Sequence, residues 1–434
     1  MDPDILNLVK KHWPIQSLYG MPETFVPGKT MIPYSGPVWS EEEVCAAVHT
    51  LLNGKWLTSG EKVQAFETEF SAQVGQQRSV MTNSGSSANL LMVSALRSKR
   101  LFGFSGVAIV TPVAGFPTTV APIIHNGFTP LFVDIEMQTL NLDLDQVEAK
   151  LTPKTKALMF AHVLGNPPDM DRVMDLCRRH DLLLLEDNCD ALGSSWNGTP
   201  LGGFGKMSTC SFYPAHHITT GEGGMVSTSD EHIERVVRSL CWWGRDCYCV
   251  GKANLLEKGT CGKRFDRWLP DLPDLIIDHK YVFTEMGYNL KPLDLQGAIG
   301  SVQLKKLDWI HRQRKAHYET YRTFFSQYPD LFRIAEAHPK ADVSWFGFPV
   351  TVTTNRFTKD ELTRFLENAK IQTRNYFAGN LLFHPAYAHL GNPYDFPNAV
   401  TATHSTFFLG VSPNLTDEQM GYVQGKLAEF LARQ

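Results

Sequence analysis

Two adjacent histidines, His216 and His217, could carry acid–base chemistry in this sequence. They stand between a strand-like SFYP and a glycine-rich GEGG in the stretch SFYPAHHITTGEGG, residues 211–224. An imidazole takes up and returns protons near neutral pH, so a histidine here suits general acid–base catalysis. In an extended segment neighbouring side chains point to opposite sides, so we expect only one of the two to face a site.

An acidic segment follows a strongly apolar run in LLLLEDNCDALGS, residues 182–194. The run predicts a buried strand, and Asp187 would stand at its carboxyl end, where α/β sheets bind ligands. If the ligand contains a pyridine ring, a carboxylate there can pair with the ring nitrogen and keep it protonated, which makes the ring an electron sink. A helix-capping aspartate is the alternative.

A third segment, TNSGSSANLL at residues 82–91, places Gly85, Ser86 and Ser87 directly before a helical pattern. Free backbone N–H groups at a helix start and two serine hydroxyls together suit a phosphate monoester. An ordinary serine-rich N-cap is the alternative interpretation. The chain has neither a GxxxxGK[ST] loop nor a GxGxxG motif at its first strand–helix unit, so we expect no dinucleotide.

Eight cysteines occur, and three of them, Cys247, Cys249 and Cys261, crowd together. Because the N-terminus lacks a signal-peptide pattern, we expect a cytoplasmic protein whose thiols are reduced or bind metal. A net charge of -4 gives no indication of a nucleic-acid surface. The apolar region 107–134 contains too many Pro, Gly and His interruptions to span a membrane.

Short apolar runs alternate with helical patterns along most of the chain. Predicted strands cover 107–113, 130–134, 156–161, 182–187, 208–213, 225–228 and 343–352. Predicted helices cover 40–52, 61–73, 86–98, 168–180, parts of 292–325 and 416–434. Strands that are apolar on both faces and separated by helices indicate an α/β fold with a mostly parallel, doubly wound sheet.

These motifs occur in the same order in the sugar aminotransferase family (DegT/DnrJ/EryC1/StrS) of fold-type-I pyridoxal phosphate (PLP) enzymes. The chain resembles this family over about residues 35–430, including WLTSGEKVQAFE (56–67), GFPTTVAPI (115–123), GYNLKPLDLQGAIG (287–300) and FFLGVSPNLT (407–416). The resemblance implies an aspartate aminotransferase-like homodimer. Each chain would have an irregular N-terminal arm at 1–38, a large coenzyme-binding domain at 39–315 and a smaller C-terminal α/β domain at 316–434.

The resemblance also implies roles for individual residues. Phe116 would stack on the coenzyme ring, and Asp187 would pair with its nitrogen. The coenzyme phosphate would be held by Gly85, Ser86, Ser211 and Asn289 of the partner subunit. His216 stands where the family has its coenzyme lysine, which favours it over His217 as the catalytic residue. Further candidates for the substrate site are Lys55, Trp56, Ser59, Arg374 and His384.

A histidine at the lysine position changes the expected reaction. An imidazole cannot form the Schiff base that tethers PLP and drives transamination. The chain is similar to family members that hold pyridoxamine 5′-phosphate (PMP) without a covalent anchor and remove the hydroxyl at carbon 3 of a nucleotide-linked 4-keto-6-deoxyhexose. His216 would be their base, and CDP-4-keto-6-deoxy-D-glucose is the expected substrate, although TDP and GDP sugars stay open.

One group of these dehydratases also carries a 2Fe-2S cluster, for which four thiolates are needed. Its pattern matches Cys189 in EDNCDA, the CxC pair of Cys247 and Cys249, and then Cys261. The stretch between the last two ligands is longer here than in that group, and Cys241 is an alternative fourth ligand. A zinc site or unligated thiols would be the other explanation.

The cluster would receive single electrons from a separate NADH-dependent iron-sulfur flavoprotein reductase, and the product would enter 3,6-dideoxyhexose synthesis for lipopolysaccharide. Two other functions remain open at this point. One is a cluster-independent dehydratase that regenerates PMP from glutamate. The other, from a different class, is a non-catalytic regulator that binds sugar nucleotides. Retention of Asp187, Phe116 and the GSS segment argues against the regulator.

Overall fold

A computed structural model describes residues 3–12, 24–247 and 262–434. Its strands are β1 (Arg78–Thr82), β2 (Ala108–Pro112), β3 (Thr129–Val133), β4 (Thr155–Ala161), β5 (Leu183–Asp187), β6 (Ser195–Trp196), β7 (Thr199–Pro200), β8 (Met207–Ser211), β9 (Gly224–Thr228), β10 (Phe332–Ile334), β11 (Ala341–Asp342), β12 (Gly347–Val352), β13 (Thr373–Asn375) and β14 (Thr406–Gly410). Seven of them form one sheet in the order β1-β9-β8-β5-β4-β2-β3. Strand β9 runs antiparallel to both of its neighbours, and the remaining pairs are parallel.

The described helices are α1 (Pro3–His12), α2 (Glu41–Asn53), α3 (Glu61–Gln73), α4 (Gly85–Ala95), α5 (Pro117–His125), α6 (Leu144–Lys150), α7 (Met170–Arg179), α8 (Glu231–Cys241), α9 (Asp294–Leu304), α10 (Leu307–Phe325), α11 (Lys359–Asn368), α12 (Pro397–Ser405) and α13 (Asp417–Leu431). In the part of the chain that the structure describes, none of these helices is long and apolar enough to cross a membrane.

Helices cover both faces of the large sheet, and alternation along the strands explains this. Ile109 and Met159 pack in one core with residues of α4, α5 and α8. Their neighbours Val110 and Leu158 pack on the other face with α6 and α7. Because successive strand residues point to opposite faces, strands that are apolar throughout require helices on both sides. The predicted mostly parallel, doubly wound α/β fold is therefore confirmed.

The C-terminal part of the chain forms a second, antiparallel sheet in the order β10-β12-β14-β13. Its core contains buried side chains of α10, α11 and α13. A small three-stranded sheet of β11, β6 and β7 joins this part to the large sheet. The boundaries 1–38, 39–315 and 316–434 stay a prediction, and helix α10 crosses the second of them.

Several elements were not predicted from the sequence, among them helices α5, α6, α8, α11 and α12 and strands β10, β13 and β14. The structure also adds strand β1, which pairs along its length with β9. Only Val80 and Met81 in this strand are apolar, so the sequence has no long apolar run there. The N-terminal segment, expected to be irregular, contains helix α1, in which Ile5, Leu8 and Val9 recur at helical spacing. The expectation of an irregular conformation throughout residues 1–38 was therefore wrong.

Candidate active site

A cavity of about 610 Å³ lies at the carboxyl ends of the parallel strands of the large sheet. Ala161, Asp187 and Ser211, which end β4, β5 and β8, line it. Parallel strands bring their carboxyl ends to one edge of a sheet, so residues far apart in sequence meet there. Eight predicted site residues line this cavity: Gly85, Ser86, Phe116, Asp187, Cys189, Ser211, His216 and Arg374.

The start of helix α4 forms one end of the cavity. Ser84 caps the helix by accepting a hydrogen bond from the backbone N–H of Ser87 at 3.1 Å. A Cβ at Gly85 would lie 2.4 Å from Cβ of Ser211, so only glycine permits this approach of α4 to β8. The first N–H groups of the helix, together with the nearby hydroxyls of Ser86 and Ser211, suit a phosphate. The residues present therefore fit the phosphate of the expected coenzyme.

The Asp187 carboxylate is buried and held on both sides. Its Oδ2 accepts hydrogen bonds from Asn89 Nδ2 at 2.7 Å and from Thr119 Oγ1 at 2.8 Å. Its Oδ1 accepts the backbone N–H of Cys189 at 3.2 Å. Asn89 and Thr119 were not predicted from the sequence, because their types and positions are ordinary for helices α4 and α5. This network fixes the direction in which the carboxylate can meet a protonated ring nitrogen.

Phe116 lies at the start of helix α5 and is 53% exposed, with its side chain on the cavity wall. An aromatic side chain of this size is exposed at a cost unless a ligand covers it. Its position on the wall that also carries Asp187 fits the predicted stacking on a coenzyme ring.

His216 also lines the cavity and is partly buried. Its Nδ1 lies 3.3 Å from Oδ1 of Asp190, within ion-pair distance but without the alignment of a hydrogen bond. Its ring packs 5.3 Å from that of Phe346. Among the described residues that line the cavity there is no lysine, so histidine has no amine neighbour that could replace the missing Schiff-base residue.

His217 lies outside the cavity and is buried. Its Nε2 lies 2.8 Å from the carbonyl oxygen of Ser344, so Nε2 carries a proton and donates it. Burial, and then the positive charge of Arg314, lower the pKa of His217 well below its usual value. The imidazole is thus a neutral structural donor, and this geometry favours His216 as the acid–base group.

The cysteines are only partly covered by the structure. Cys189 is half-buried on the cavity wall, and burial and the charge of Asp187 raise the pKa of its thiol well above the usual value. Cys247 is buried in the core that also contains Cys241. Cys249 and Cys261 lie outside the described residues. Within residues 3–12, 24–247 and 262–434, no group of three or more His, Cys, Asp or Glu side chains is arranged to hold a metal.

Other predicted residues are placed as follows. Asn289 is exposed, does not line the cavity and forms a backbone bridge with Trp242, so its proposed contact with a partner subunit's coenzyme stays a prediction. Arg374 lines the cavity, whereas Lys55, Trp56, Ser59 and His384 do not. Tyr34 and Phe346 complete the wall and were not predicted, because isolated aromatic residues carry no spacing signal.

The comparisons with known proteins agree with this geometry. The protein RfbH of lipopolysaccharide biosynthesis from Salmonella typhimurium is 42% identical over 94% of this chain and 94% of its own length. The dTDP-4-dehydro-2,6-dideoxy-D-glucose 3-dehydratase of Saccharopolyspora spinosa is also 42% identical, over 94% of this chain and 88% of that protein.

Among solved structures, the E. coli GDP-4-keto-6-deoxy-D-mannose-3-dehydratase with bound hydrated PLP superposes with a TM-score of 0.79 at 30% identity, covering 91% of this chain and 98% of that one. A structure of a GDP-4-keto-6-deoxymannose-3-dehydratase with a trapped PLP-glutamate geminal diamine gives the same TM-score and identity, covering 91% of this chain and 99% of the other. Residues 39–428 match the DegT/DnrJ/EryC1/StrS aminotransferase family, and the chain therefore belongs to that family.

Proposed function

We propose that this protein removes the hydroxyl at carbon 3 of CDP-4-keto-6-deoxy-D-glucose, using PMP and a 2Fe-2S cluster. The broader statement, that the chain is a PLP/PMP-dependent sugar-nucleotide 3-dehydratase, follows from its family and its 3-dehydratase relatives. The observation that carries the proposal is the position of His216 in a coenzyme-sized cavity whose described wall contains no lysine.

The described residues can hold the coenzyme without a covalent bond. The start of α4 and Ser211 would bind its phosphate, Phe116 would cover the ring, and Asp187 would bind the ring nitrogen. When bound, the coenzyme supplies an amine for the sugar ketone and a ring that delocalises negative charge. Asp187, fixed by its hydrogen bonds, keeps the nitrogen protonated as that charge develops.

His216 would then act as the proton carrier. We propose that it would take a proton from the carbon next to the coenzyme ring, and that the resulting imidazolium would give this proton to the carbon-3 hydroxyl, which would leave as water. Asp190 lies 3.3 Å from Nδ1 and would stabilise the protonated ring, so Nε2 on the opposite ring edge is the atom we propose for the transfer. The buried His217 takes no part in this step.

We also propose that the protein carries a 2Fe-2S cluster. Cys189, Cys247, Cys249 and Cys261 would supply four thiolates, and iron would lower the pKa of Cys189, which burial otherwise raises. Support comes from the sequence spacing and from the position of Cys189 on the cavity wall, two residues from Asp187. Such a cluster would supply single electrons, taken from an NADH-dependent iron-sulfur flavoprotein reductase, close to the coenzyme.

Two further details belong to the proposal. CDP is preferred as the nucleotide, and dTDP is its main competitor because a 42% identical relative is named for a dTDP sugar. A homodimer in the cytoplasm is expected, with Asn289 of the partner subunit at the coenzyme phosphate. The second candidate function is a cluster-free dehydratase that uses glutamate, favoured by the structural similarity to an enzyme trapped with a PLP-glutamate adduct.

One experiment separates the two candidates. The protein is purified without air, its visible spectrum is recorded, and iron and acid-labile sulfide are measured. About two irons and two sulfides per chain, with charge-transfer bands, support the cluster. Absence of iron together with glutamate-dependent turnover would identify the cluster-free enzyme instead.

A further inference from the structure

The charges on the cavity wall do not match the charges of the proposed ligands. A coenzyme and a sugar nucleotide together bring a phosphate and a diphosphate. The wall carries three carboxylates, those of Asp187, Asp190 and Glu222, but among its described residues Arg374 is the only lysine or arginine. Since the start of α4 accounts for the coenzyme phosphate, Arg374 is the one cation that the described wall of this chain offers to the diphosphate.

Arg374 lies on β13, at the edge of the C-terminal sheet, paired with Phe408 of β14. Its guanidinium carbon lies 4.0 Å from the centre of the Tyr34 ring, and Nη1 donates to the carbonyl oxygen of Thr373 at 2.8 Å. No carboxylate of the described chain lies within 4.0 Å of it as an ion-pair partner. Apart from its contacts with Thr373 and with the Tyr34 side chain, its N–H groups are therefore available to a ligand in the cavity.

Tyr34 holds this guanidinium in place. Its backbone N–H donates to Gln372 Oε1 at 3.3 Å, and its ring packs edge-on against Phe408 with centres 6.1 Å apart. The next residue, Ser35, donates its hydroxyl to the carbonyl oxygen of Ala215 at 2.7 Å, directly before His216. Tyr34 and Ser35 thus connect the C-terminal sheet to the segment that carries the proposed base.

We propose that Arg374, stacked on Tyr34, binds the diphosphate of the sugar nucleotide and so sets the position of the sugar relative to His216. A guanidinium presents parallel N–H groups that match two phosphate oxygens, and stacking on an aromatic face restricts its rotamers in advance. The inference rests on the proposed function, because it takes the ligand to be a nucleoside diphosphate sugar. The carboxylate of an amino-acid donor is the competing oxyanion.

The test uses binding without turnover. CDP and dTDP, each without a sugar, are titrated calorimetrically into the PMP-loaded protein. Arg374→Gln should weaken the affinity for both nucleotides about ten- to hundredfold, because a charge-assisted contact is lost. Arg374→Lys keeps the positive charge and should retain part of the nucleotide affinity. Tyr34→Ala should weaken the nucleotide affinity by a smaller factor than Arg374→Gln. Tyr34→Phe keeps the ring and should bind the nucleotides nearly as the wild type does.

Arg333→Gln is the matched control, since Arg333 is an exposed arginine of the same sheet that lies outside the cavity. It should leave nucleotide affinity unchanged, and PMP affinity should be unchanged in every variant. If Arg374→Gln binds CDP and dTDP like the wild type, the inference is wrong while the proposed function stands. If it instead loses affinity only for glutamate, Arg374 is a carboxylate site. If the wild type binds neither nucleotides nor sugar nucleotides, the proposed function itself fails.

Discussion

Nδ1 of His216 lies 3.3 Å from Oδ1 of Asp190, and both side chains line the cavity. The imidazole stands at the position where the family usually has its coenzyme lysine. The carboxylate lies against one edge of the ring, and the other edge carries the second ring nitrogen. A lysine in the same place could form a covalent bond with the coenzyme, whereas this pair can only move protons. We propose that this pair directs the chemistry of the site from amino transfer to elimination.

Replacing His216 by Asn should preserve coenzyme binding and abolish release of the carbon-3 hydroxyl, with a rate lower by a factor of about 10² to 10⁴, the contribution of a positioned acid–base group. The measurement combines equilibrium dialysis of PMP with mass spectrometry of the sugar product. His217→Gln is the control, because Gln can still donate to the Ser344 carbonyl and His217 lies outside the cavity. Near-normal turnover of His216→Asn would exclude His216 as the base.

The sequence indicates most of this site because the chemistry is concentrated in contiguous motifs. The GSS segment, the EDNCDA segment and SFYPAHH each combine an element boundary with functional side chains, so Gly85, Asp187 and His216 are recognisable without coordinates. The sheet brings them together because each follows or precedes a buried strand. The domain boundaries and the role of Asn289 stay predictions.

Other parts of the site depend on tertiary contacts and could not be predicted. Asn89 and Thr119 contact Asp187 only because α4 and α5 lie side by side above β5. Tyr34 reaches the cavity because the N-terminal segment crosses to Gly410, where a Cβ would lie 2.2 Å from the Tyr34 carbonyl oxygen. None of these contacts leaves a pattern in the local sequence.

Asp187→Asn should reduce dehydration by about a hundredfold or more, since a neutral amide no longer stabilises the protonated ring as charge develops. PMP should still bind through its phosphate contacts, and its absorption band should shift when the ring nitrogen loses its proton. Asp175→Asn, at an exposed ion pair on helix α7, is the control and should leave both rate and spectrum unchanged. An Asp187→Asn enzyme with normal rate and spectrum would contradict the assignment.

Cys189→Ser should lower the iron content well below that of the wild type and remove the visible charge-transfer bands, because a cluster that loses one thiolate is held less tightly. Dehydration should survive in part, since that step requires no electron. Cys177→Ser provides the comparison, as Cys177 is a buried cysteine packed between α7 and the large sheet. Equal iron content in the two variants would show that Cys189 is not a ligand.

Gly85→Ala should weaken PMP binding, because the added Cβ would lie 2.4 Å from Cβ of Ser211 and would push α4 away from β8. Gly421→Ala in helix α13 should leave PMP binding unchanged, because no atom beyond the helix's own backbone lies within 4 Å of the new Cβ. That change should stabilise the protein by about 0.5–1 kcal/mol through helix propensity. Equilibrium dialysis with PMP and urea unfolding measure the two effects, and unchanged PMP affinity in Gly85→Ala would argue against the phosphate cradle.

His217 should make stability depend on pH in a defined direction. Its pKa in the folded state lies well below the value of about 6.5 expected when unfolded, so between these values the unfolded chain binds more protons. The contribution of His217 to the free energy of unfolding should therefore be fully present above about pH 6.5. It should fall as the pH decreases, by at most about 1.4 kcal/mol per pH unit. The neighbouring charges are those of Arg314, His216 and His311, all of which disfavour a second positive charge here.

The free energy of unfolding in urea, measured at pH 7.5 and pH 5.5, tests this directly. His217→Gln removes the titrating group but keeps a donor for the Ser344 carbonyl, so its loss of stability between the two pH values should be smaller than that of the wild type. His404→Gln, at an exposed histidine on helix α12, should lose stability with falling pH as the wild type does. Because burial of a neutral imidazole is the cause, an identical pH dependence in His217→Gln and the wild type would mean that the pKa of His217 does not change on folding, which would contradict its assignment as a buried neutral donor to Ser344.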